Sequence, residues 1–286
     1  MTLRWRELRR ESVERLRAAA VDDPEQEVQW IVERASGRSA AEQAAALDDP
    51  VTEREVRFVD GMVARRTAGE PLQYVLGRWG FRTLDLYVDR RVLIPRPETE
   101  VVAGLAIEAL VALDRPALAV DLGTGSGAIA LSLAAERWPH VGVWATDRSP
   151  DALEVARANL AGLGRRAAVV RLAEGDWFAA LPGDLRGRID VVVSNPPYVA
   201  AVEPLPPQVS DWEPAAALVP GPTGLEAVER LVADAPAWLA PEGTLVLEIG
   251  ETQGDAVLAL ARAAGFSAAD VHPDLAGRPR ALVARC

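Results

Sequence analysis

The octapeptide Val120-Asp121-Leu122-Gly123-Thr124-Gly125-Ser126-Gly127 follows a strand-like apolar run at 117–121 and opens a helical stretch at 128–135. Strand, glycine-rich turn and helix form one winding unit of an open sheet, and the same alternation continues downstream. Strand-like runs recur at 141–147, 168–172, 189–194, 244–249 and 281–284, with helical stretches between them. One such helix is 150–160, with Ser149 as its candidate N-cap. Alternating β and α elements predict an α/β fold built on a doubly wound, mostly parallel sheet. No internal repeat interrupts it.

Upstream the pattern differs. Pro24 follows Asp23 at a first helical position, and Val28, Ile31, Val32 and Ala35 then recur at helical spacing until Gly37. Thr52 and Glu55 make a capping box ahead of Val56, Val59 and Val63, and Gly69 closes that helix. Over 71–95, Leu84, Leu86 and Val88 alternate with Asp85, Tyr87 and Asp89, which is a strand period. We therefore expect a small N-terminal helical bundle at 1–70, a linking β-hairpin at 71–96 and a sheet domain at 97–286. The proline-rich stretch 202–222 is expected as an ordered loop over the carboxyl edge of the sheet.

The 286 residues suffice for one large and one small domain. The formal net charge of −11 argues against tight binding to a phosphate backbone, which needs basic patches. Cys286 is the single cysteine, so no internal disulfide can form. Two histidines, His140 and His272, argue against a His-based metal site, and no metal is expected. Residues 1–17 are rich in Arg and Glu with no apolar signal core, and the apolar stretch 101–120 is broken by Glu108, Asp114 and Arg115. A soluble cytoplasmic protein is expected, and nothing suggests an obligate dimer, so a monomer is expected.

The glycine loop narrows the ligand. Its G-x-G-x-G spacing is neither that of a phosphate loop nor that of a dinucleotide pyrophosphate site. Asp147 ends the next strand, where a carboxylate can accept both hydroxyls of a ribose. A ligand with a ribose and no phosphate fits, namely S-adenosylmethionine, with Gly123, Thr124, Gly125, Ser126, Gly127 and Asp147 around it. Asp176 and Trp177, beyond the third strand, would supply an acceptor for the adenine amino group and an aromatic wall.

Ser194-Asn195-Pro196-Pro197-Tyr198 stands behind the apolar run 189–193, again at a strand's carboxyl end. Methyl transfer from a sulfonium to an amide nitrogen is an in-line displacement, so positioning dominates, and alignment alone can contribute roughly 7–11 kcal/mol. Such a site needs two acceptors for the two N–H groups. The side-chain oxygen of Asn195 is one, and the carbonyl of Pro196, steadied by the proline rings, is the natural second. Pro197 stiffens the turn, and Tyr198 can lie flat against the planar substrate group. No strong base is needed if the proton leaves late, and the two histidines lie away from these strand ends.

The chain resembles the protein-(glutamine-N5) methyltransferases of the PrmC/HemK type. The likeness rests on Gly69-Glu70-Pro71-Leu72-Gln73-Tyr74, on Leu93-Ile94-Pro95-Arg96-Pro97-Glu98-Thr99-Glu100, on the glycine loop, and on Asp176-Trp177-Phe178. It continues through Asn195-Pro196-Pro197-Tyr198, Glu213-Pro214, Leu247-Glu248-Ile249-Gly250 and Asp274-Leu275-Ala276-Gly277-Arg278. The resemblance implies the fold of the S-adenosylmethionine-dependent methyltransferases and a peptide-chain release factor as partner, methylated on the glutamine of its Gly-Gly-Gln motif. It implies that residues 123–127, Asp147, Trp177 and Asn195 bind the donor. It also implies that Asn195, Pro196, Pro197 and Tyr198 hold the glutamine amide, and that the N-terminal bundle grips the factor. The rival expectation is a nucleic-acid amino-methyltransferase acting on adenine N6 or guanine N2. The charge and residues 93–100 speak against it. A silent S-adenosylmethionine-binding adaptor would have no use for Asn195 and its two prolines.

Overall fold

A computed structural model describes residues 3–286. In chain order the elements are α1 (Trp5–Ala18), α2 (Pro24–Ser36), α3 (Ala40–Ala45), α4 (Glu53–Thr67), α5 (Leu72–Leu76), β1 (Trp79–Phe81), β2 (Leu84–Leu86), α6 (Pro97–Val111) and β3 (Ala117–Leu122). They continue with α7 (Ala128–Arg137), β4 (Val141–Asp147), α8 (Pro150–Ala161), β5 (Val170–Glu174), β6 (Ile189–Ser194), α9 (Pro207–Ser210), α10 (Glu226–Asp234), β7 (Leu239–Glu248), α11 (Gly254–Ala263), β8 (Ala268–Pro273) and β9 (Pro279–Arg285). The described residues up to Arg78, with Pro207–Trp212, form one compact unit, and Trp79–Pro206 with Glu213–Cys286 form the other.

The first unit is helical for reasons written locally. Pro24 occupies the first turn of α2, and Gly37 ends it in the left-handed conformation at φ 70°. Thr52 and Glu55 cap α4 reciprocally. The helices bury one face each, with Trp5, Leu16, Ile31, Val32 and Val63 fully enclosed. Arg66 is buried among them and is matched by a two-pronged contact to Glu27, at 2.6 and 3.1 Å.

The hairpin is shorter than its alternation predicts. Residues 72–76 form a helical turn, because Leu72, Val75 and Leu76 pack into the helical core at a spacing that a strand would split between two faces. Only β1 and β2 pair, and Val88 is buried beyond the last strand.

The second unit holds a seven-stranded sheet in the order β5-β4-β3-β6-β7-β9-β8. The pairs from β5 to β7 are parallel, and β9 runs antiparallel to both neighbours. Helices α6, α7 and α8 pack in series on one face, and α10 and α11 pack together on the other. Strand β6, covered on both sides, is buried at every residue. Its one internal charge, Asp190, accepts from the Leu118 backbone N–H at 2.8 Å and from Arg115 at 2.6 Å.

Strand β7 begins at Leu239, five residues before the expected 244, and two further strands depart from the sequence reading. The run expected at 168–172 becomes β5 at 170–174, because a 3₁₀ turn over Gly164–Val169 consumes its first residues. Strand β8 lies where none was expected. It is an edge strand whose residues are exposed or half-buried, so its sequence carries no apolar alternation. Among the described residues no helix is long and apolar enough to cross a membrane.

The sheet order sets the site. From β3 the chain winds outward to β4 and β5, then returns to β6 on the other side of β3. The carboxyl ends of β3 and β6 therefore flank the crevice where such sheets bind ligands. The Ser194 hydroxyl at the end of β6 donates to the Leu122 carbonyl at 2.6 Å and ties the two ends together.

Trp5 is wholly enclosed in the helical core. Trp5→Ala is expected to remove about 3–5 kcal/mol of stability in urea unfolding, and a loss under about 1 kcal/mol would contradict this packing.

Candidate active site

A cavity of about 520 Å³ opens in the second unit at the carboxyl edge of β3, β4, β5 and β6. That size suits a nucleoside-sized ligand. Gly123, Thr124, Gly125 and Ser126 line it, with Asp147, Asp176, Trp177, Asn195 and Pro197.

The loop is held open by its backbone. Gly123 and Thr124 both donate to the Thr146 carbonyl at 2.8 Å. Gly123, Gly125 and Gly127 have φ of 74°, 55° and 86°, the left-handed region that suits glycine. A Cβ on Gly123 would stand 3.2 Å from the Trp177 ring. Gly127 does not line the cavity. A Cβ there would come within 3.0 Å of Leu131, so this glycine lets α7 start against its own loop. Asn159 of α8 donates to the Ser126 carbonyl at 2.8 Å and clamps the loop from behind.

Two carboxylates shape this half of the cavity. Asp147 accepts from Gly125 N–H and from Ser149 N–H, both at 2.9 Å, so each oxygen is held in place. Beneath the loop, Asp121 accepts from the Thr124 hydroxyl at 2.6 Å and from Ala130 N–H at 3.1 Å. Burial pushes the Asp121 carboxyl up to about 7, against those two hydrogen bonds and with the nearby negative charge of Asp147 adding to the rise. Asp176 lines the cavity, but one of its oxygens takes Arg230 Nη1 at 2.6 Å.

The other half is built around Asn195. Its Nδ2 donates to Thr99 Oγ1 at 3.1 Å. The Thr99 hydroxyl donates to Glu248 Oε2 at 2.7 Å, and the Tyr198 hydroxyl donates to Glu248 Oε1 at 3.1 Å. Neither Asn195 Oδ1 nor the Pro196 carbonyl receives a hydrogen bond from any described residue. Pro196 is buried, and neither it nor Tyr198 lines the cavity; Tyr198 reaches inward to Glu248 instead. Burial raises the Tyr198 hydroxyl well above its ordinary value, and the Glu248 charge adds to that. Burial likewise pushes the Glu248 carboxyl up to about 7, against the Thr99 bond, the Arg280 charge and the Tyr198 bond.

The segment that carries Thr99 is anchored separately. Arg96 pairs with buried Glu213, whose other oxygen accepts from Ile94 N–H at 3.0 Å. Arg96 is thus a structural partner that fastens residues 94–96 to the 213–214 corner. Glu98 meets Arg278 at 3.2 Å, and Arg278 holds Asp274 at 3.0 Å.

The sequence pattern of the PrmC N-terminal domain matches residues 7–77, and that of the methyltransferase small domain matches 104–205. The release factor glutamine methyltransferase of Cereibacter sphaeroides is 44% identical over 282 residues, 96% of each chain. That of Moorella thermoacetica is 43% identical, over 96% of this chain and 95% of its own. The chain belongs to the release factor glutamine methyltransferase family. Its fold also superposes on the hMettl16 catalytic domain solved with a MAT2A 3'UTR hairpin, with TM-score 0.57 and 18% identity over 78% of this chain and 80% of that one. At that identity the likeness is one of fold.

For a family methyltransferase the site brings together Asn195, Asp147, Asp176, Trp177 and the loop from four strand ends, as a reading of strand termini expects. Thr99 and Glu248 were quoted in the sequence without a role. Only the fold reveals one, because α6 and the end of β7 are 149 positions apart in sequence.

The loop glycines separate two effects. Gly125→Ala meets open space and is expected to cost about 1–2 kcal/mol from backbone strain alone. Gly127→Ala must also displace Leu131, so thermal unfolding is expected to show the larger loss. Equal losses would mean that crowding at Gly127 is unimportant.

Proposed function

We propose that the cavity binds S-adenosylmethionine and that the chain methylates the side-chain N5 of the glutamine in the Gly-Gly-Gln motif of peptide-chain release factors. The observation that carries this reading is the orientation of Asn195. One N–H of its NH2 is engaged by Thr99, which leaves Oδ1 as an unused acceptor on a residue that lines the nucleoside-sized cavity, with the Pro196 carbonyl, also unused, next in the chain.

The residues fit the donor. Asp147, held by Gly125 and Ser149, retains lone pairs for ribose hydroxyls. Trp177 lines the cavity next to Gly123 and offers an aromatic wall for an adenine ring. Asp176 would accept from the adenine amino group with its free lone pairs while keeping Arg230. The bound donor supplies an electrophilic methyl group.

The chain's own part is to bind, align and exclude water. Asn195 and Pro196 would each accept one N–H of the glutamine amide, so the nitrogen lone pair faces the donor. Pro197, which lines the cavity, would form the wall, with Tyr198 behind it fixed through Glu248. We further assign release-factor binding to residues 1–70, with residues 71–96 as linker and 97–286 as the methyltransferase domain. The match of residues 7–77 to the PrmC N-terminal domain supports the first assignment. A cytoplasmic monomer that uses no metal and does not take nucleic acid as substrate completes the reading, supported on the last point by a net charge of −11.

Mass spectrometry of a release factor incubated with the protein and S-adenosylmethionine is expected to find one methyl on that glutamine. An unmodified factor alongside a methylated oligonucleotide would overturn the reading. Asn195→Ala is expected to lower kcat by about 10²–10³-fold, as removal of one preorganised transition-state hydrogen-bonding group does. Much of the donor affinity by calorimetry should remain, with a modest loss because Asn195 also lines the donor cavity. Near-native turnover would remove Asn195 from the role given to it.

A further inference from the structure

An asparagine amide can turn half a circle about its last torsion at small cost. If Asn195 turned, its NH2 would face the substrate NH2, donor against donor, and no productive complex would form. Something must select the useful orientation, and the selector lies outside the Asn-Pro-Pro-Tyr segment.

We propose that Thr99 and Glu248 are positioning residues that fix which end of the Asn195 amide faces the substrate. The inference rests on the preceding reading of Asn195. A threonine hydroxyl has one proton, and here it points to Glu248 Oε2 at 2.7 Å. Only lone pairs are then left on Thr99 Oγ1, so only the NH2 end of Asn195 can meet it, as it does at 3.1 Å. The Thr99 proton is drawn to Glu248, because an ionised carboxylate only accepts and holds it by a charge-assisted bond stronger than one to an amide oxygen. The second oxygen of Glu248 is taken by the Tyr198 hydroxyl. Thr99 is 4% exposed and Glu248 1%, so bulk water does not substitute for the bond between them. Orientation passes from Glu248 to Thr99 to Asn195 through two hydrogen bonds.

The arrangement depends on the charge of Glu248. Around it lie Glu98 and Thr99 from α6, Tyr198 from the segment after β6, and Arg280 from β9, itself beside Asp274 at 3.6 Å. Burial places the carboxyl up to about 7. Protonated Glu248 can donate to Thr99. The Thr99 proton is then free to turn toward Asn195 Oδ1, and the wrong orientation is no longer excluded. The ionised form is the selecting one, so kcat is full above this pH and falls as pH drops through it. Asp121 also titrates near 7, but it braces the glycine loop, so its protonation acts on donor affinity.

The test compares Thr99→Ser, Thr99→Val and Glu248→Gln with the wild-type protein on a release factor, measuring kcat from pH 6 to 9 and donor affinity by calorimetry. Thr99→Val is expected to lose tenfold or more in kcat at every pH with donor affinity within twofold, and Thr99→Ser to restore most of it. Glutamine can accept from Thr99 at its oxygen and donate to the Tyr198 oxygen, and it does not titrate. Glu248→Gln is therefore expected to keep measurable turnover and to lose the acidic limb. Unchanged kcat in Thr99→Val, or a wild-type limb surviving in Glu248→Gln, would overturn the inference. Should a variant fail to fold, the wild-type profile and Thr99→Ser still decide: a flat wild-type profile, or a serine variant with less than a tenth of the wild-type kcat, would contradict it. Failure of the wild-type protein to methylate the factor would instead overturn the reading beneath.

Discussion

Strands β3 and β6 lie side by side, parallel, and end on one edge of the sheet. Ala119, Val120 and Asp121 pair with Val191, Val192 and Val193, which brings Gly123 and Asn195 to neighbouring positions beyond the pairing. The Ser194 hydroxyl, donating to the Leu122 carbonyl, fastens those ends at the point where the strand order reverses. Everything the site does depends on that adjacency. The cavity and the Asn195 segment, proposed as donor site and amide clamp, stand on two rigid strand ends, so their separation is set by the width of a sheet and not by loop flexibility.

Buried carboxylates then do the orienting. Asp121 braces the glycine loop, Glu213 fastens the segment leading to α6, and Glu248 gathers Thr99 and Tyr198. Each is nearly or wholly inaccessible and each is met by hydrogen-bond donors, the condition under which a buried charge is tolerable. The cost of burial is visible in the raised carboxyls of Asp121 and Glu248. In return, hydroxyl protons that would otherwise rotate are pinned, and the amide that depends on them has one orientation.

Much of this was legible in the residues. The glycine loop, Asp147 and Asn195 announce themselves because each stands directly behind an apolar run, and alternation of strands and helices places all such ends on one edge. The edge strand β8 was not legible, because an exposed antiparallel strand of Ala, Asp, Val and His has no buried period. The turn at 72–76 was hidden for the opposite reason, since five residues are too few to distinguish helix from strand. Thr99 and Glu248 were unreadable in a stricter sense. A threonine inside a helix and a glutamate ending a strand carry no mark of partnership until the fold brings them together. Tyr198, read as a flat wall, has its hydroxyl turned inward to Glu248, which only the burial of that carboxylate explains.

The central claim is that one edge of the sheet holds the donor and the substrate amide in line, with the amide gripped by two acceptors. A crystal structure with S-adenosylhomocysteine and a Gly-Gly-Gln peptide tests it directly. The account predicts the glutamine nitrogen within hydrogen-bonding distance of both Asn195 Oδ1 and the Pro196 carbonyl, with the ligand sulfur in the Gly123–Asp147 cavity pointing at it. A glutamine bound elsewhere, or an Asn195 that meets it with Nδ2, would contradict the account.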